Sequence, residues 1–398
     1  MKLLMISAHL PRPAGGADAR NYHLLKALAR QHTVSLLAMV EHAEMEAVAD
    51  FFLLKDLAHT VRMVPGLIPR TKRWQQLMRI AGGKSYLLNL YMLKEMQGAL
   101  DTMLACDHYD TVLFESSLTA GYRLPIGMRT IIDQHNIEYE LLERTYTQEK
   151  VPLRKWYNWQ ESRLLKQGEI ERCRKADAVL VTSERERLVL KELLPEKVIE
   201  VVPNGVDVET FYTSGMEQEV PNQVIFTGTM DYYPNIQGVL FFAQQCWPLI
   251  RMQVPGATWR IVGRNPPPEV RRLAELPGVA VTGTVPDVRP YLAASSVAIA
   301  PLQIGSGTRL KILEAFAMRR AVVSTSLGCE GLEIVPGKHL LVADQPEAFA
   351  QAVVAFMHDS EMRTTFGTAG RALVEAEYSW ERCGNQLARI LEEKVFVC

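Results

Sequence analysis

The sequence predicts an α/β protein with two domains, each built around a parallel sheet. At 398 residues the chain is longer than one ordinary hydrophobic core requires, and its hydrophobic content of 48% is sufficient for two. In the first half, a buried strand, a turn with two glycines, a helix and a second buried strand follow one another with βαβ spacing. The same alternation restarts at Gln223. We therefore expect two successive domains of one kind.

The first domain begins with Met1–Ala8, an apolar run typical of a buried parallel strand. Leucines at positions 24, 25 and 28 then indicate a helix that ends near Gln31. The next predicted elements are strands at Thr33–Val40, Thr130–Asp133 and Ala176–Ser183 and a helix at Glu184–Leu194.

The domain boundary is predicted near Val201–Asp207, where a Pro-Asn-Gly-Val-Asp segment is typical of a turn, and the polar run Phe211–Asn222 is expected to be a linker. We assign residues 1–203 to the N-terminal domain and residues 204–378 to the C-terminal domain. The elements predicted for the second domain are strands at Val224–Gly228, Thr258–Val262, Val279–Thr282, Val297–Ala300 and Ala321–Thr325, and helices at Gly238–Leu249 and Pro346–Met357.

A glycine-containing loop with two cations precedes a helix that is predicted to run through Met318, with Thr308 as its N-cap. The unpaired N–H groups and the dipole of a helix start suit a phosphate, and Arg309 and Lys311 add full charges. Glu314 lies one turn beyond Lys311, within reach of a neighbouring sugar hydroxyl. Phosphate and ribose together indicate a nucleotide, although the same residues also fit a tight βα turn with solvated cations.

This segment, Pro301–Ala317, resembles the donor-nucleotide motif of the family-4, or group 1, retaining glycosyltransferases. Most members have two glutamates around a glycine-rich turn. Glu314 corresponds to the second, whereas Ser306 stands at the first, so the identity of the donor sugar stays open. The Gly-Thr-Arg-Leu-Lys loop is similar to one subgroup, in which Ser306 or a backbone N–H takes over the contact with the sugar.

The resemblance implies the GT-B fold, with two Rossmann-like domains whose parallel sheets face each other across a central cleft. It also implies a C-terminal helix, residues 379–398, that packs back on the N-terminal domain. The expected donor-binding residues are Gly15, Gly16, Arg264, Ser306, Gly307, Thr308, Leu310 and Glu314, and the expected catalytic residues are His135, Arg309 and Lys311.

Two of these assignments concern the first domain. In the family, a Gly-Gly loop like Gly15-Gly16 lies near the donor phosphates, and a histidine after a strand like Thr130–Asp133 lies near the transferred sugar, which implies this role for His135. A loop without a ligand and a hydrogen-bonded structural histidine are the alternatives.

The second domain departs from the family at its first strand. Relatives follow this strand with Gly-Arg and, a few residues later, a lysine; the run Gly228–Gln237 has neither cation. The developing charge on a leaving diphosphate therefore needs other partners, and we assign this role to Arg309 and Lys311, helped by Arg264.

The implied reaction is retaining, metal-independent transfer of a sugar from a UDP- or GDP-sugar substrate to a glycan or lipid-linked acceptor, in cell-envelope polysaccharide or glycolipid assembly. No separate cofactor is expected. A degenerate transferase that only binds nucleotide sugars, and a sugar-nucleotide epimerase, are the alternatives. A nicotinamide dehydrogenase is disfavoured because Gly15-Gly16 is not a Gly-x-Gly-x-x-Gly motif.

The formal net charge of −1 gives no argument for nucleic-acid binding, and the six cysteines are dispersed, as in a reduced cytosolic protein. With no signal-peptide pattern recognised, we expect a cytoplasmic protein that is at most peripheral at the inner face of the membrane. Two basic and aromatic segments, Pro69–Ile80 and Arg154–Trp159, suggest contact with anionic lipid, and an ordinary packed surface helix is the alternative.

Overall fold

A computed structural model describes residues 1–13, 15–40, 48–66, 83–212 and 219–395. Contacts between residues divide the chain into two units. Unit 1 comprises Met1–Pro203 together with Cys383–Cys398, and unit 2 comprises Asn204–Arg382.

Unit 1 contains a seven-stranded parallel sheet with the order β3-β2-β1-β4-β5-β6-β7. Its strands are β1 (Lys2–Ser7), β2 (Thr33–Val40), β3 (Thr60–Pro65), β4 (Thr111–Phe114), β5 (Arg129–Gln134), β6 (Ala178–Val181) and β7 (Val198–Val201). Its helices before the domain boundary are α1 (Gly16–Leu28), α2 (Val48–Lys55), α3 (Tyr86–Leu90), α4 (Lys94–Cys106), α5 (Glu138–Gln148), α6 (Pro152–Lys175) and α7 (Glu184–Leu193). The strand order reverses between β1 and β4, which places a topological switch point at the carboxyl ends of these two strands.

The apolar runs of unit 1 form strands because both faces of the sheet are covered. Along β1, Leu4 and Ile6 pack into one hydrophobic core, whereas Leu3 and Met5 pack into another. The second core also contains Leu387, Leu391 and neighbouring apolar residues of the C-terminal segment.

Unit 2 contains a six-stranded parallel sheet with the order β10-β9-β8-β11-β12-β13, which is again the Rossmann-like arrangement. Its strands are β8 (Val220–Thr227), β9 (Thr258–Val262), β10 (Val279–Gly283), β11 (Ser295–Ala300), β12 (Ala321–Ser324) and β13 (Leu341–Val342). Its helices are α8 (Tyr233–Phe241), α9 (Trp247–Gln253), α10 (Pro268–Arg271), α11 (Arg289–Ala293), α12 (Leu310–Ala317), α13 (Pro346–His358) and α14 (Ser360–Glu377), followed by α15 (Trp380–Ile390), whose residues from Cys383 onward belong to unit 1. The switch point here lies between β8 and β11.

The α/β class with two parallel sheets is confirmed, and β2 and β9 have the predicted bounds. Two of the predicted bounds differ clearly from the structure. The helix expected from Gly238 begins at Tyr233, because Pro234 suits a first helical turn. The expected linker contains the start of β8, because the Val220 N–H donates to the Ala294 carbonyl and so extends the strand.

Within the described part of the chain, none of the helices combines the length and the apolar composition needed to cross a bilayer.

Candidate functional site

The loop and helix that follow β11 stand at the switch point of unit 2. Helix α12 begins at Leu310, and its N-cap residue is Arg309, whose backbone is extended (φ −98°, ψ 97°). The prediction that Thr308 caps this helix was wrong, because the helix starts one residue later than expected. The Thr308 hydroxyl instead accepts a hydrogen bond from the Asn204 side-chain amide at 2.6 Å.

Lys311, in the first turn of α12, reaches back to the carboxyl end of β8. Its Nζ donates to Oδ1 of Asn235 at 2.8 Å and lies 3.7 Å from the centroid of the Phe226 ring. The Asn235 amide is fixed in turn, because its Nδ2 donates to the Thr229 carbonyl at 2.8 Å. Burial lowers the pKa of Lys311 well below its ordinary value, and the charge of Arg309 acts in the same direction. The Lys311 amine is therefore held at the switch point by an amide and an aromatic face.

Two glycines make room for this arrangement. A Cβ on Gly228 would lie 2.8 Å from Asn235 Nδ2 and 3.0 Å from Lys311 Nζ. A Cβ on Gly263 would lie only 1.7 Å from the Gly228 carbonyl oxygen. The turns after β8 and β9 can therefore approach each other only because Gly263 lacks a side chain, and the missing side chain of Gly228 leaves room for Asn235 and Lys311.

This close approach predicts a large difference between two glycine substitutions in unit 2. Gly263→Ala should destabilise the protein by about 2 kcal/mol, because its methyl group overlaps a backbone oxygen that cannot move without displacing the turn after β8. Gly256→Ala is the matched control, because a Cβ there meets no atom within 4 Å. Equal urea midpoints for Gly263→Ala and the wild type would show that the turns separate without cost.

The other predicted residues of unit 2 lie around the same turns. Arg264 follows β9 with an exposed side chain, and its carbonyl accepts from Met230 N–H at 2.8 Å. Ser306 and Arg309 are buried, and Arg309 Nη1 donates to the carbonyls of Ser306 and Gly307. The guanidinium of Arg309 thus stabilises its own loop in this structure, which the sequence did not indicate.

Glu314 lies on α12 one turn after Lys311 and is half-buried. Burial raises the pKa of Glu314 to about 7, although the positive charge of Lys311 acts in the opposite direction. The carboxyl group can therefore accept or donate a hydrogen bond near neutral pH, which suits contact with a hydroxyl group.

The switch point of unit 1 contains the glycine turn that precedes α1. Gly15 is the N-cap residue with φ 94°, and Gly16 has φ 40°. A Cβ on either residue would meet no atom within 4 Å, so the backbone conformation rather than packing demands glycine here. The turn leaves open space beside its backbone.

Glu115, which directly follows β4, is a residue of this site that the sequence analysis missed. Its buried carboxylate accepts hydrogen bonds from Ala8 N–H (2.6 Å), the Ser7 hydroxyl (2.6 Å) and the Asn21 side-chain amide. It thereby joins the end of β1 to α1 and supports the turn between them. The sequence does contain a signal for Glu115, because a polar residue directly after a short apolar run is the same pattern that identified the strand before His135.

His135 directly follows β5 and contacts the buried ion pair between Asp133 and Arg20. Its Nε2 donates to Oδ2 of Asp133 at 3.1 Å, and Asp133 forms an ion pair with Arg20, with 2.5 Å between Oδ1 and Nη2. Burial alone would raise the pKa of Asp133, but Arg20 and His135 hold it at about 2. Because Asp133 stays ionised, it fixes the orientation of the His135 ring, whose side chain is 11% exposed.

Two Rossmann-like units in succession, each with polar residues at its switch point, define a protein of the GT-B class. Residues 14–210 match the family model described as Glycosyltransferase Family 4, and residues 221–359 match the model described as Glycosyl transferases group 1. The two matches together cover most of the chain, which belongs to the GT-B glycosyltransferases.

A phosphatidyl-myo-inositol mannosyltransferase of Mycobacterium tuberculosis is 28% identical over 216 residues, which are 50% of this chain and 55% of the relative. A GDP-mannose-dependent phosphatidylinositol monomannoside mannosyltransferase of Corynebacterium glutamicum is 32% identical over 89 residues, 22% of this chain and 23% of the relative. The chain thus spans about half the length, or less, of these curated relatives.

Solved structures give the same fold over nearly the whole chain. Sucrose-phosphate synthase from Thermosynechococcus elongatus superposes with a TM-score of 0.75 at 19% identity, covering 98% of both chains. The Anabaena protein HepE in complex with UDP gives a TM-score of 0.67 at 14% identity, covering 98% of this chain and 100% of the other. At these identities the likeness establishes the fold, and the predicted GT-B fold class, with one parallel sheet in each of two Rossmann-like domains, is confirmed.

Proposed function

We propose that this protein transfers a hexosyl group from a UDP- or GDP-sugar to a hydroxyl group of a glycan or lipid-linked acceptor. The family match supports the reaction class. The mannosyltransferase relatives support a glycolipid acceptor, and the UDP complex of a structural neighbour supports a nucleotide donor. The corresponding pathway is cell-envelope polysaccharide or glycolipid assembly in the cytoplasm or at the inner face of the membrane.

The observation that carries the proposal is the placement of Lys311. Ligands of open α/β sheets bind at the carboxyl ends of the strands, at the switch point, and the Lys311 ammonium lies there in unit 2. A diphosphate at this position would gain a full charge and the adjoining N-terminus of α12. Glu314 on the same helix would then contact a sugar hydroxyl.

The proposed chemistry retains the configuration at the anomeric carbon. The bond between this carbon and the diphosphate oxygen breaks, and the acceptor oxygen forms its bond on the same face. The acceptor proton passes to an oxygen of the leaving phosphate, so no separate protein base is required. Lys311 stabilises the charge that develops on the diphosphate, which makes the reaction metal-independent. His135, held by Asp133, is assigned to a hydroxyl of the transferred sugar.

The test is an assay of the full-length protein with UDP- and GDP-sugars and lipid-linked or glycan acceptors in the presence of EDTA. We expect turnover of one donor class, and an NMR coupling constant at the anomeric position that matches the donor. Product of inverted configuration would refute the retaining mechanism. Tight nucleotide binding without turnover of any donor would favour the alternative, a degenerate transferase that acts as a binding protein.

A further inference from the structure

The amino-terminal end of α6 presents large apolar side chains to solvent. Val151 is 46% exposed, Leu153 67%, Trp156 46% and Trp159 36%. The other tryptophans that the structure describes, at positions 247, 259 and 380, are all buried. Both exposed tryptophans of the described chain therefore lie within a single turn of one helix.

This end of α6 lacks the packing that holds the rest of the helix. The buried residues of α6 begin at Glu161 and continue to Cys173. Glu161 anchors the helix because its carboxylate accepts hydrogen bonds from the Ser85 hydroxyl and from the backbone N–H groups of Tyr86 and Leu87. The segment 151–160 has no buried residue, so its apolar side chains are not required for the core of unit 1.

The apolar residues share one face of the helix with cations. Leu153, Trp156 and Trp159 follow one another at i, i+3 spacing, which places them on the same side of α6. Arg163 lies over the Trp159 ring, with its Cζ 4.9 Å from the centroid. Lys155 and Arg163 are exposed, and each lies one turn (i, i+4) from Trp159, whereas Arg154 is on the opposite side of the helix. Lys150 is exposed just before the helix begins. We call the residues 150–159 together with Arg163 the α6 tip.

We propose that the α6 tip docks on the surface of an anionic lipid bilayer. The indole rings suit the interface between headgroups and acyl chains, and the long side chains of Lys and Arg keep their charges among the headgroups. Each cation near an anionic surface contributes about 1 kcal/mol, so Lys155, Arg163 and the adjoining Lys150, together with the four apolar groups, are sufficient for reversible binding. This inference concerns a surface of unit 1 and goes beyond the proposed transfer reaction.

The proposal concerns one of the two segments predicted from the sequence to contact lipid. The α6 tip contains Arg154–Trp159, whereas Pro69–Ile80 lies outside the described residues. The alternative for Arg154–Trp159, an ordinary packed surface helix, would require its bulky side chains to be packed, and Leu153, Trp156 and Trp159 are exposed.

The test is sedimentation of the full-length protein with vesicles of phosphatidylcholine alone or mixed with phosphatidylglycerol. We expect binding only to the mixed vesicles. Two double variants, Trp156→Ala/Trp159→Ala and Lys155→Glu/Arg163→Glu, should each weaken it by about tenfold or more. The matched control, Met252→Ala/Arg272→Glu, changes an exposed apolar residue and an exposed cation of unit 2 and should bind like the wild type.

Tryptophan fluorescence locates the contact independently. Brominated acyl chains in the mixed vesicles should quench the wild-type emission, and Trp156→Phe/Trp159→Phe should lose this quenching while retaining most of its binding. The proposal is overturned if the wild type does not bind anionic vesicles, or if the α6-tip variants bind them as tightly as the wild type does. Neither readout requires the donor site, so a failure here leaves the proposed transfer reaction standing, and the reverse also holds.

Discussion

Replacement of Lys311 by methionine is expected to weaken the binding of the nucleoside diphosphate, UDP or GDP, by roughly 100-fold, which corresponds to about 2.8 kcal/mol. The Lys311 Nζ is held at the end of β8 by Asn235 and the Phe226 ring, so the diphosphate meets a donor group already in position. Calorimetric titration in EDTA measures the loss. Lys338→Met, at an exposed position of the same unit, is the control. Equal affinities of Lys311→Met and the wild type would remove Lys311 from the donor site.

A double variant tests whether Asn235 contributes to diphosphate binding through Lys311. If Asn235 acts by positioning Lys311, then Asn235→Ala weakens diphosphate binding by about tenfold in the wild-type background and has no further effect in Lys311→Met. A purely structural role for Asn235 would instead give the same loss in both backgrounds.

The pH dependence of diphosphate affinity provides a second readout for Lys311. Because the pKa of Lys311 is lowered, its neutral fraction grows as the pH rises, and diphosphate affinity should fall, whereas Lys311→Met should not show this dependence.

The contact between Lys311 and Asn235 also illustrates which part of the site the sequence could predict. The loop before α12 was identified from local signals, namely glycines, cations and a buried strand. The partner of Lys311 lies 76 residues earlier in the chain, and no local pattern connects the two. Glu115 is more distant still from its partner Ser7, at 108 residues, although its position after a short apolar run could have identified it.

The fold was more predictable than the site for a physical reason. Strand β2 is covered on both faces, so its nearly continuous apolar run defines it. Strand β9 is instead marked by Trp259 and Ile261, which alternate with half-buried polar residues and pack into one core. The strand β4 has only four residues and was missed, whereas β6 and β12, which are equally short, were predicted. The start of α12 depends on one backbone conformation, that of Arg309, which a capping preference at Thr308 did not determine.

Removal of the Arg20 guanidinium should have the largest effect on stability. Arg20 and Asp133 are each 1% exposed in their side chains, and Arg20 also donates to the carbonyls of Val202 and Pro203. Arg20→Met leaves a buried carboxylate without its cation, so we expect a loss of about 3–5 kcal/mol in the free energy of unfolding, measured by urea denaturation. Lys175→Met breaks the exposed pair with Glu171 and should cost no more than about 0.5 kcal/mol.

Two further measurements separate the charge of this pair from its packing. Arg20→Met/Asp133→Leu should recover much of the stability lost in Arg20→Met, because no buried charge remains unpaired.

The second measurement is the free energy of unfolding at acidic pH, which should fall as Asp133 becomes protonated. The pKa of Asp133 is about 2 in the folded protein and 3.8 for an ordinary aspartate, so its contribution to stability is present above pH 4 and is lost as the pH falls toward 2. That contribution is about 2 kcal/mol, and Asp133→Asn should lack this part of the acid dependence. If Arg20→Met unfolds at the wild-type urea concentration, the buried pair is not what joins α1 to β5.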